Sequence, residues 1–235
     1  MQKYTKTVKK LRAIRALGFV KTHRKGPTGI GKTLEDLLGI DENNIAGPDN
    51  SLFELKSARK NSPSMLTLFT KSPLPFGANS ILLKEFGYPS KKPNENKELH
   101  TTVQFSKYNS LKGKKGFTLR IRDEKILLVS SKGKILGYWD KKTLRYRFEK
   151  KYPRLLYVKA EVRGRGADEE FWFDEAWFLW DFDFELFIDL VKHDVVLVDV
   201  RIGQYPDGRP HDHGTGFRVL PDKLDMCFKH RKRII

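Results

Sequence analysis

The chain is 235 residues long and carries 46 Lys and Arg against 29 Asp and Glu, a formal charge of +17 and a pI of about 9.8. That length holds one large core or two modest lobes, and the cation excess goes beyond solubility and points to a polyanionic partner, nucleic acid first. The single cysteine, Cys227, excludes a disulfide framework and a cysteine-rich zinc site; no apolar run reaches the roughly 20 residues of a membrane span, and the basic start MQKYTKTVKKLRAIRA has no signal-type apolar region, so an intracellular protein is expected.

In chain order, residues 3–17 predict a helix, with Val8, Leu11, Ile14, Ala16 and Leu17 roughly on one face. Thr33-Leu-Glu-Asp36 has the form of a capping box opening a short helix, TLEDLLG, that Gly39 stops. Residues 51–57 and 64–70 predict strands, and 77–87 a short helix. A solvated loop, SKKPNENKE, covers 90–98. Four β-like runs follow, HTTVQFS, GFTLRIRD, KILLVSS and KILGYWD, expected as one antiparallel meander. LLYVKAEV (155–162) and the aromatic EEFWFDEAWFLWDF predict two more strands, the second long or bent. FELFIDLVKHD (184–194) predicts a helix and VVLVDVRIG (195–203) a buried strand. A polar loop at 203–214 leads to a last strand, GFRVL (216–220), and a basic tail. Between Asp168 and Val191 stand nine acids and no Lys or Arg, an acidic region on a basic surface that suits a protein orienting itself on a duplex.

The chemistry concentrates at GPDNSLFELKS. On a strand, Phe53 and Leu55 share one face and Glu54 and Lys56 the other. Asp49 lies in the turn before, within reach of the same ion. Two carboxylates can hold Mg2+, with water in its remaining positions, and the lysine can orient a water or neutralise charge on a phosphate. The E-x-K spacing is itself unspecific, since Glu95–Lys97 and Glu149–Lys151 repeat it without the upstream acid. An exposed ion pair on a strand face is the plain alternative.

Residues Gly26–Thr33, GPTGIGKT, match a phosphate-loop pattern letter for letter, and VVLVD resembles its acidic partner strand. A phosphate-loop NTPase needs a buried strand running into the first glycine. Here KTHRK precedes it. The same residues, Lys32 above all, suit contact with DNA phosphates.

Near the C-terminus, Arg201 and Arg218 can each fork onto guanine O6 and N7. His211 and His213 can donate to purine acceptors and Asp212 can accept from cytosine. Tyr205, Arg209 and Thr215 are further candidates for base or phosphate contact. The alternatives are a plain surface hairpin or, for the H-x-H, two ligands of a zinc or copper ion that lacks an evident third ligand.

Together KGPTGIGKTLEDLLG (25–39), PDNSLFELKS (48–57), MLTLFTKSP (65–73), GAN (77–79), LHTTV (99–103) and VDVRIGQY…HDHGTGFR (198–218) resemble the MvaI/BcnI restriction endonuclease family, whose catalytic part is related to the mismatch-repair nicking enzyme MutH. Between Phe105 and Leu197 little matches. The resemblance implies a mixed α/β, PD-(D/E)xK restriction-endonuclease-like sheet flanked by helices, with a second DNA-reading lobe. Expected is one compact two-lobed unit over 1–235, the catalytic lobe including about 1–100 and the recognition elements mainly 195–220. It implies a type II restriction enzyme of the prokaryotic cytoplasm, monomeric, using Mg2+ to cut double-stranded DNA within a CCNGG-like site, with a DNA methyltransferase in the same cell. Asp49, Glu54 and Lys56 fall on the family's catalytic positions. Glu35 matches an acid that assists the metal. Arg201, His211, Asp212, His213 and Arg218 fall in the recognition region. The chain departs from the family in a shorter RIGQYPDGRPHDH loop and in the acidic aromatic segment 168–190, which leave the recognised sequence open. A MutH-like nicking enzyme, a phosphate-loop NTPase and a non-catalytic DNA-binding protein are the competing readings.

Overall fold

A computed structural model describes residues 2–40, 53–152 and 154–235. Its helices are α1 (Gln2–Ala16), α2 (Gly29–Leu38), α3 (Ala78–Phe86), α4 (Lys141–Lys151) and α5 (Phe184–Lys192). The first strands are β1 (Val20–Lys21), β2 (Glu54–Arg59), β3 (Leu66–Thr70), β4 (Tyr88–Pro89), β5 (Lys97–Val103), β6 (Ser110–Leu111), β7 (Lys114–Lys115) and β8 (Phe117–Arg122). They are followed by β9 (Lys125–Ser130), β10 (Ile135–Asp140), β11 (Arg154–Arg163), β12 (Glu170–Trp180), β13 (Val196–Gln204), β14 (Pro210–Asp212), β15 (Gly216–Val219) and β16 (His230–Arg233). The fold is the expected mixed α/β class. The chain divides into two compact units, Met1–Pro63 with Glu149–Asp183 and Asp225–Ile235, and Ser64–Phe148 with Phe184–Leu224.

The first unit is built on a sheet of order β1-β12-β11-β2, with β16 also pairing β12. β2 runs parallel to β11, and the other pairs are antiparallel. A parallel pair needs a long crossover, and here the crossover contains the second unit's residues 64–148. The register sets Leu55 beside Leu156 on one face and Lys56 beside Tyr157 on the other. The first face packs Leu55, Leu156, Val158, Ala160, Phe171 and Phe173 against Leu11 and Ile14 of α1 and Ile30, Leu34 and Leu38 of α2. Each such large side chain contributes roughly 1.5–3 kcal/mol when fully buried. β2 is thereby fixed with its polar face turned away from this core.

The second unit holds an antiparallel sheet of order β3-β15-β13-β5-β4 with β14 added to β13, and a separate meander β8-β9-β10. β13 is buried along nearly its whole length. Phe69, Phe187 and Phe217 form one aromatic cluster with Phe148 and Trp139.

Several expectations are corrected. α2 opens at Gly29, four residues before Thr33, and Thr33 Oγ1 donates to the Gly29 carbonyl at 2.8 Å inside the helix, so it forms no capping box. Gly39 does end α2, with φ 66° and its N–H turned back to the last helical turn. The first of the four β-like runs leaves the meander: β5 pairs β13 and β4, because Leu99 and Val103 are fully buried on that sheet. Of the stretch 1–100 assigned to the catalytic lobe, residues 64–100 fall in the second unit, where β3 pairs β15 and β5 pairs β13. The polar loop 203–214 contains β14 and is a hairpin. GFRVL is not the last strand: the tail forms β16, an edge whose four exposed basic side chains discourage pairing with another chain.

The acids of the 168–190 segment are consumed largely within the first unit. Glu169 takes Arg59, Glu170 takes Arg163, Asp174 takes Lys60 and Glu175 takes Lys159. Cys227 is fully buried, and burial pushes its thiol up to about 12. A maleimide reagent at pH 8 should leave the native chain unlabelled and modify it once in denaturant, read by intact mass. Rapid native labelling would contradict this packing.

Candidate active site and nucleic-acid interface

Strand alternation brings Glu54 and Lys56 together on β2, as the sequence predicts. Lys56 Nζ lies 2.8 Å from Glu54 Oε1. Glu54 is completely buried, whereas Lys56 keeps 29% of its side chain exposed. A second ammonium, that of Lys151 at the end of α4, reaches the same oxygen at 3.2 Å. Glu54 Oε2 is also buried and has no hydrogen-bond partner among the described residues. A buried, unsatisfied carboxylate oxygen is costly, and a divalent cation is one group that would satisfy it.

These residues floor a cleft of about 350 Å³ within the first unit. Its walls bring Arg24, Lys32, Lys56 and Lys151 around the carboxylates Glu35 and Glu54. Four cations against two acids suit a phosphate backbone. Glu35 therefore shares the cleft with Glu54, as expected. Asp49 lies outside the described residues. Lys32 Nζ pairs with Asp36 Oδ1 at 2.8 Å, one helical turn on, and His23 Nδ1 meets Asp36 Oδ2 at 2.8 Å. Those side-chain hydrogen bonds, that of Lys32 foremost, hold the Asp36 carboxyl below its ordinary range.

The phosphate-loop reading fails on geometry. Gly29, Gly31 and Lys32 are inside α2, and among the described residues the only preceding strand, β1, is two residues long and antiparallel to β12. The Gly26 and Pro27 carbonyls accept from the Arg59 guanidinium at 3.2 Å each. Gly29 is required by packing, since a Cβ there would lie 2.2 Å from the Arg24 carbonyl oxygen.

Sequence reasoning missed Lys151. Its signal was the Glu149–Lys151 triplet, set aside for lack of an upstream acid, whose lysine completes the charge shell of the first triplet's glutamate.

In the second unit, Asp199 is buried on β13 and organises two arginines. Arg201 Nε donates to Asp199 Oδ2 at 2.6 Å. Arg218 Nε is 3.0 Å from that oxygen, but its N–H is not aligned on it, so the contact is ionic without a hydrogen bond. Arg218 Nη2 donates to the Gly214 carbonyl. Asp199 was visible only as the end of the VVLVD run.

The hairpin places the other candidates unequally. Tyr205 is exposed and stacks on His211, ring centroids 4.1 Å apart. Arg209 is exposed and pairs with Asp207. His211 and His213 approach each other and Glu95, with His100 behind His213. Burial, the largest cause, holds the His100 and His213 imidazoles below their ordinary range. Asp212 Oδ1 accepts from the Gly214 and Thr215 N–H groups, and Ser72 Oγ donates to Oδ2, so only Oδ2 is placed to accept from a base. Thr215 is fully buried, and its hydroxyl accepts from the Arg201 N–H at 2.9 Å and faces the Arg201 carbonyl at 3.3 Å, which fixes the Arg201 backbone.

The profile of the MvaI/BcnI restriction endonuclease family matches residues 8–228. The structure is similar to that of the restriction endonuclease MvaI in complex with cognate DNA, at 29% identity over 97% of this chain and 96% of that one, TM-score 0.83. It is also similar to MvaI in the absence of DNA, at 28% identity over 99% and 97%, TM-score 0.58. No curated protein sequence gives a significant match. Among the described residues no helix is long and apolar enough to cross a membrane.

Proposed function

The chain belongs to the MvaI/BcnI restriction endonuclease family, and from that premise we propose that it acts as a monomer and uses Mg2+ to cut both strands of duplex DNA within a short site of the CCNGG kind. The observation that carries the catalytic assignment is Glu54: a buried carboxylate with one oxygen between two ammonium groups and the other unpartnered, at the floor of a cationic cleft. Asp49 and Glu54, with Glu35 from the same cleft as Glu54, are the residues that would hold the ion. When bound, Mg2+ would supply charge stabilisation at the phosphate and the departing oxygen.

The chain's own groups do the remaining work. Lys56 orients the attacking water and stabilises the negative charge that develops as the water oxygen bonds to phosphorus and its proton passes to solvent. The bond from phosphorus to the 3′ oxygen breaks and that oxygen takes a proton from solvent, leaving 5′-phosphate and 3′-hydroxyl ends. Lys151, 3.2 Å from Glu54 Oε1, holds that carboxylate in place beside Lys56. Lys32 contacts a backbone phosphate. In the second unit, Arg201, Arg218, His211, His213 and Asp212 read bases, while Tyr205 and Arg209 add contacts from the hairpin. A cell carrying such an enzyme needs a methyltransferase to protect its own sites.

Incubation of the chain with long unmodified DNA and Mg2+, followed by sequencing of the fragment ends, gives activity, site and cut position together. Discrete ends at one short motif support the reading. Intact DNA overturns it, and nicked plasmid circles without linear product would favour a MutH-like enzyme. Lys151→Ala should slow single-turnover cleavage by roughly 10–100-fold, the value of one charge-assisted hydrogen bond of about 1.5–3 kcal/mol. An unchanged rate would remove Lys151 from the site.

A further inference from the structure

Away from the Glu54 cleft, three ligand-bearing side chains of the second unit converge beside the β13–β14 hairpin. Glu95 Oε1 is 3.0 Å from His213 Nε2 and 3.5 Å from His211 Nε2, and the two ring nitrogens are 3.2 Å apart. We propose that Glu95, His211 and His213 form a binding site for a divalent transition-metal ion of the Zn2+ class.

The separations are those of a coordination polyhedron. Ligand bonds of about 2.0–2.1 Å in a tetrahedron set neighbouring ligand atoms about 3.3–3.5 Å apart. All three atoms here lie close to that spacing. Hydrogen bonding alone serves the triangle poorly. With a single proton between the two Nε2 atoms, that proton can point at Glu95 or at the other ring, and one edge stays unsatisfied. One cation satisfies all three lone pairs at once. Two imidazoles and a carboxylate with a fourth position open to water form a zinc-type donor set, whereas Mg2+ prefers oxygen alone.

The surroundings are built for it. His211 lies on β14 and His213 just past its end, and their Nε2 atoms converge at 3.2 Å. His211 is in register with Gly203, and the His213 N–H donates to the Arg201 carbonyl at 2.8 Å. A Cβ at Gly203 would stand 2.6 Å from His211 Nε2 and 2.7 Å from His213 Nε2, so the glycine provides the space both rings occupy. The Glu95 loop is tied alongside by the Asn96 N–H to the Gln204 carbonyl at 2.9 Å. His100 Nε2 faces His213 Nδ1 at 3.2 Å, the kind of outer partner that fixes the tautomer of a metal-bound histidine. Tyr205 stacks on the His211 ring. Lys92 Nζ already sits 3.1 Å from Glu95 Oε1, and being half exposed it can withdraw when a cation of higher charge arrives. An ion there engages the Nε2 atoms of both histidines, so the ion and a base edge are alternative occupants of those atoms. That last consequence rests on the base reading proposed above; binding of the ion does not.

The test uses the full chain, stripped with chelator and titrated with Co2+ as a spectroscopic stand-in for Zn2+. One equivalent should produce the d–d absorption of four-coordinate Co2+, and Zn2+ should displace it. Affinity should fall at least about tenfold in Glu95→Gln and in His213→Ala, and be kept in Glu54→Gln, which alters only the other cleft. Gly203→Ala should lose the band with its far-ultraviolet circular dichroism unchanged. Absence of a band in the unsubstituted chain overturns the proposal. So does a band that survives both Glu95→Gln and His213→Ala.

Discussion

Lys56→Ala is expected to lower the single-turnover cleavage rate by about 10²–10⁴-fold, the range for a group that orients or activates the attacking water, while cognate binding stays within a few-fold. The fold tolerates the change. The Lys56 side chain is partly exposed, β2 is held by its backbone register with β11, and Glu54 Oε1 keeps the Lys151 ammonium at 3.2 Å. Glu54→Gln provides the contrast. It keeps the shape of the buried side chain but removes the charge, so its defect should include a raised Mg2+ requirement. The Lys56→Ala defect should persist at saturating Mg2+, because the missing group acts on water and not on the ion. Quenched-flow cleavage across a Mg2+ series, beside binding measured in Ca2+, separates the two. Full cutting by Lys56→Ala would remove the lysine from the mechanism. A defect that high Mg2+ restores would recast it as an aid to ion binding.

The contrast also shows why part of this site is legible in the amino-acid order and part is not. Glu54 and Lys56 follow from strand alternation, a rule that acts over two residues: Phe53 and Leu55 claim the buried face, and the charged pair inherits the other. Glu35 follows from a helix whose apolar residues Ile30, Leu34 and Leu38 face the core. Lys151 joins Glu54 from 97 positions away. The helix that carries it buries only Leu144 and Phe148, one pair four residues apart, too little to mark a helix by periodicity. Glu95 has the same difficulty: it meets His211 and His213 only because β5 and β14 flank β13, and nothing local announces that pairing. β5 itself was misplaced for a related reason. HTTVQFS alternates as a strand in any sheet would, and its partner is chosen by burial of Leu99 and Val103 across the whole unit. The histidines and arginines of the hairpin were visible as residue types. Their division of labour was not, because it depends on which of them the buried Asp199 and Thr215 hold.

That division leads to the second large effect. Arg201→Ala is expected to reduce discrimination between the cognate duplex and one with a single substituted base pair by about 1–3 kcal/mol, roughly 5–150-fold in the ratio of dissociation constants. Of the two arginines on Asp199, Arg201 is better placed to read. Its Nε is engaged by the carboxylate at 2.6 Å and its side chain is 41% exposed, whereas Arg218 is 16% exposed and already donates through Nη2 to the Gly214 carbonyl. An anchored Nε leaves the guanidinium fork pre-oriented, so little conformational entropy is lost when it meets guanine O6 and N7. Stability should hardly change in Arg201→Ala, because Asp199 keeps Arg218 as its counter-charge. Asp199→Asn should behave oppositely. It strips the counter-charge from a mostly buried guanidinium, which costs about 3–5 kcal/mol of stability, read as a lower urea midpoint, and it loosens both arginines together. The decisive measurement is the cognate-to-substituted affinity ratio with the salt dependence of each. A base contact collapses the ratio at every salt concentration. A phosphate contact leaves the ratio intact and weakens both duplexes alike, with the salt slope smaller by about one, and that outcome would move Arg201 from base reading to the DNA backbone.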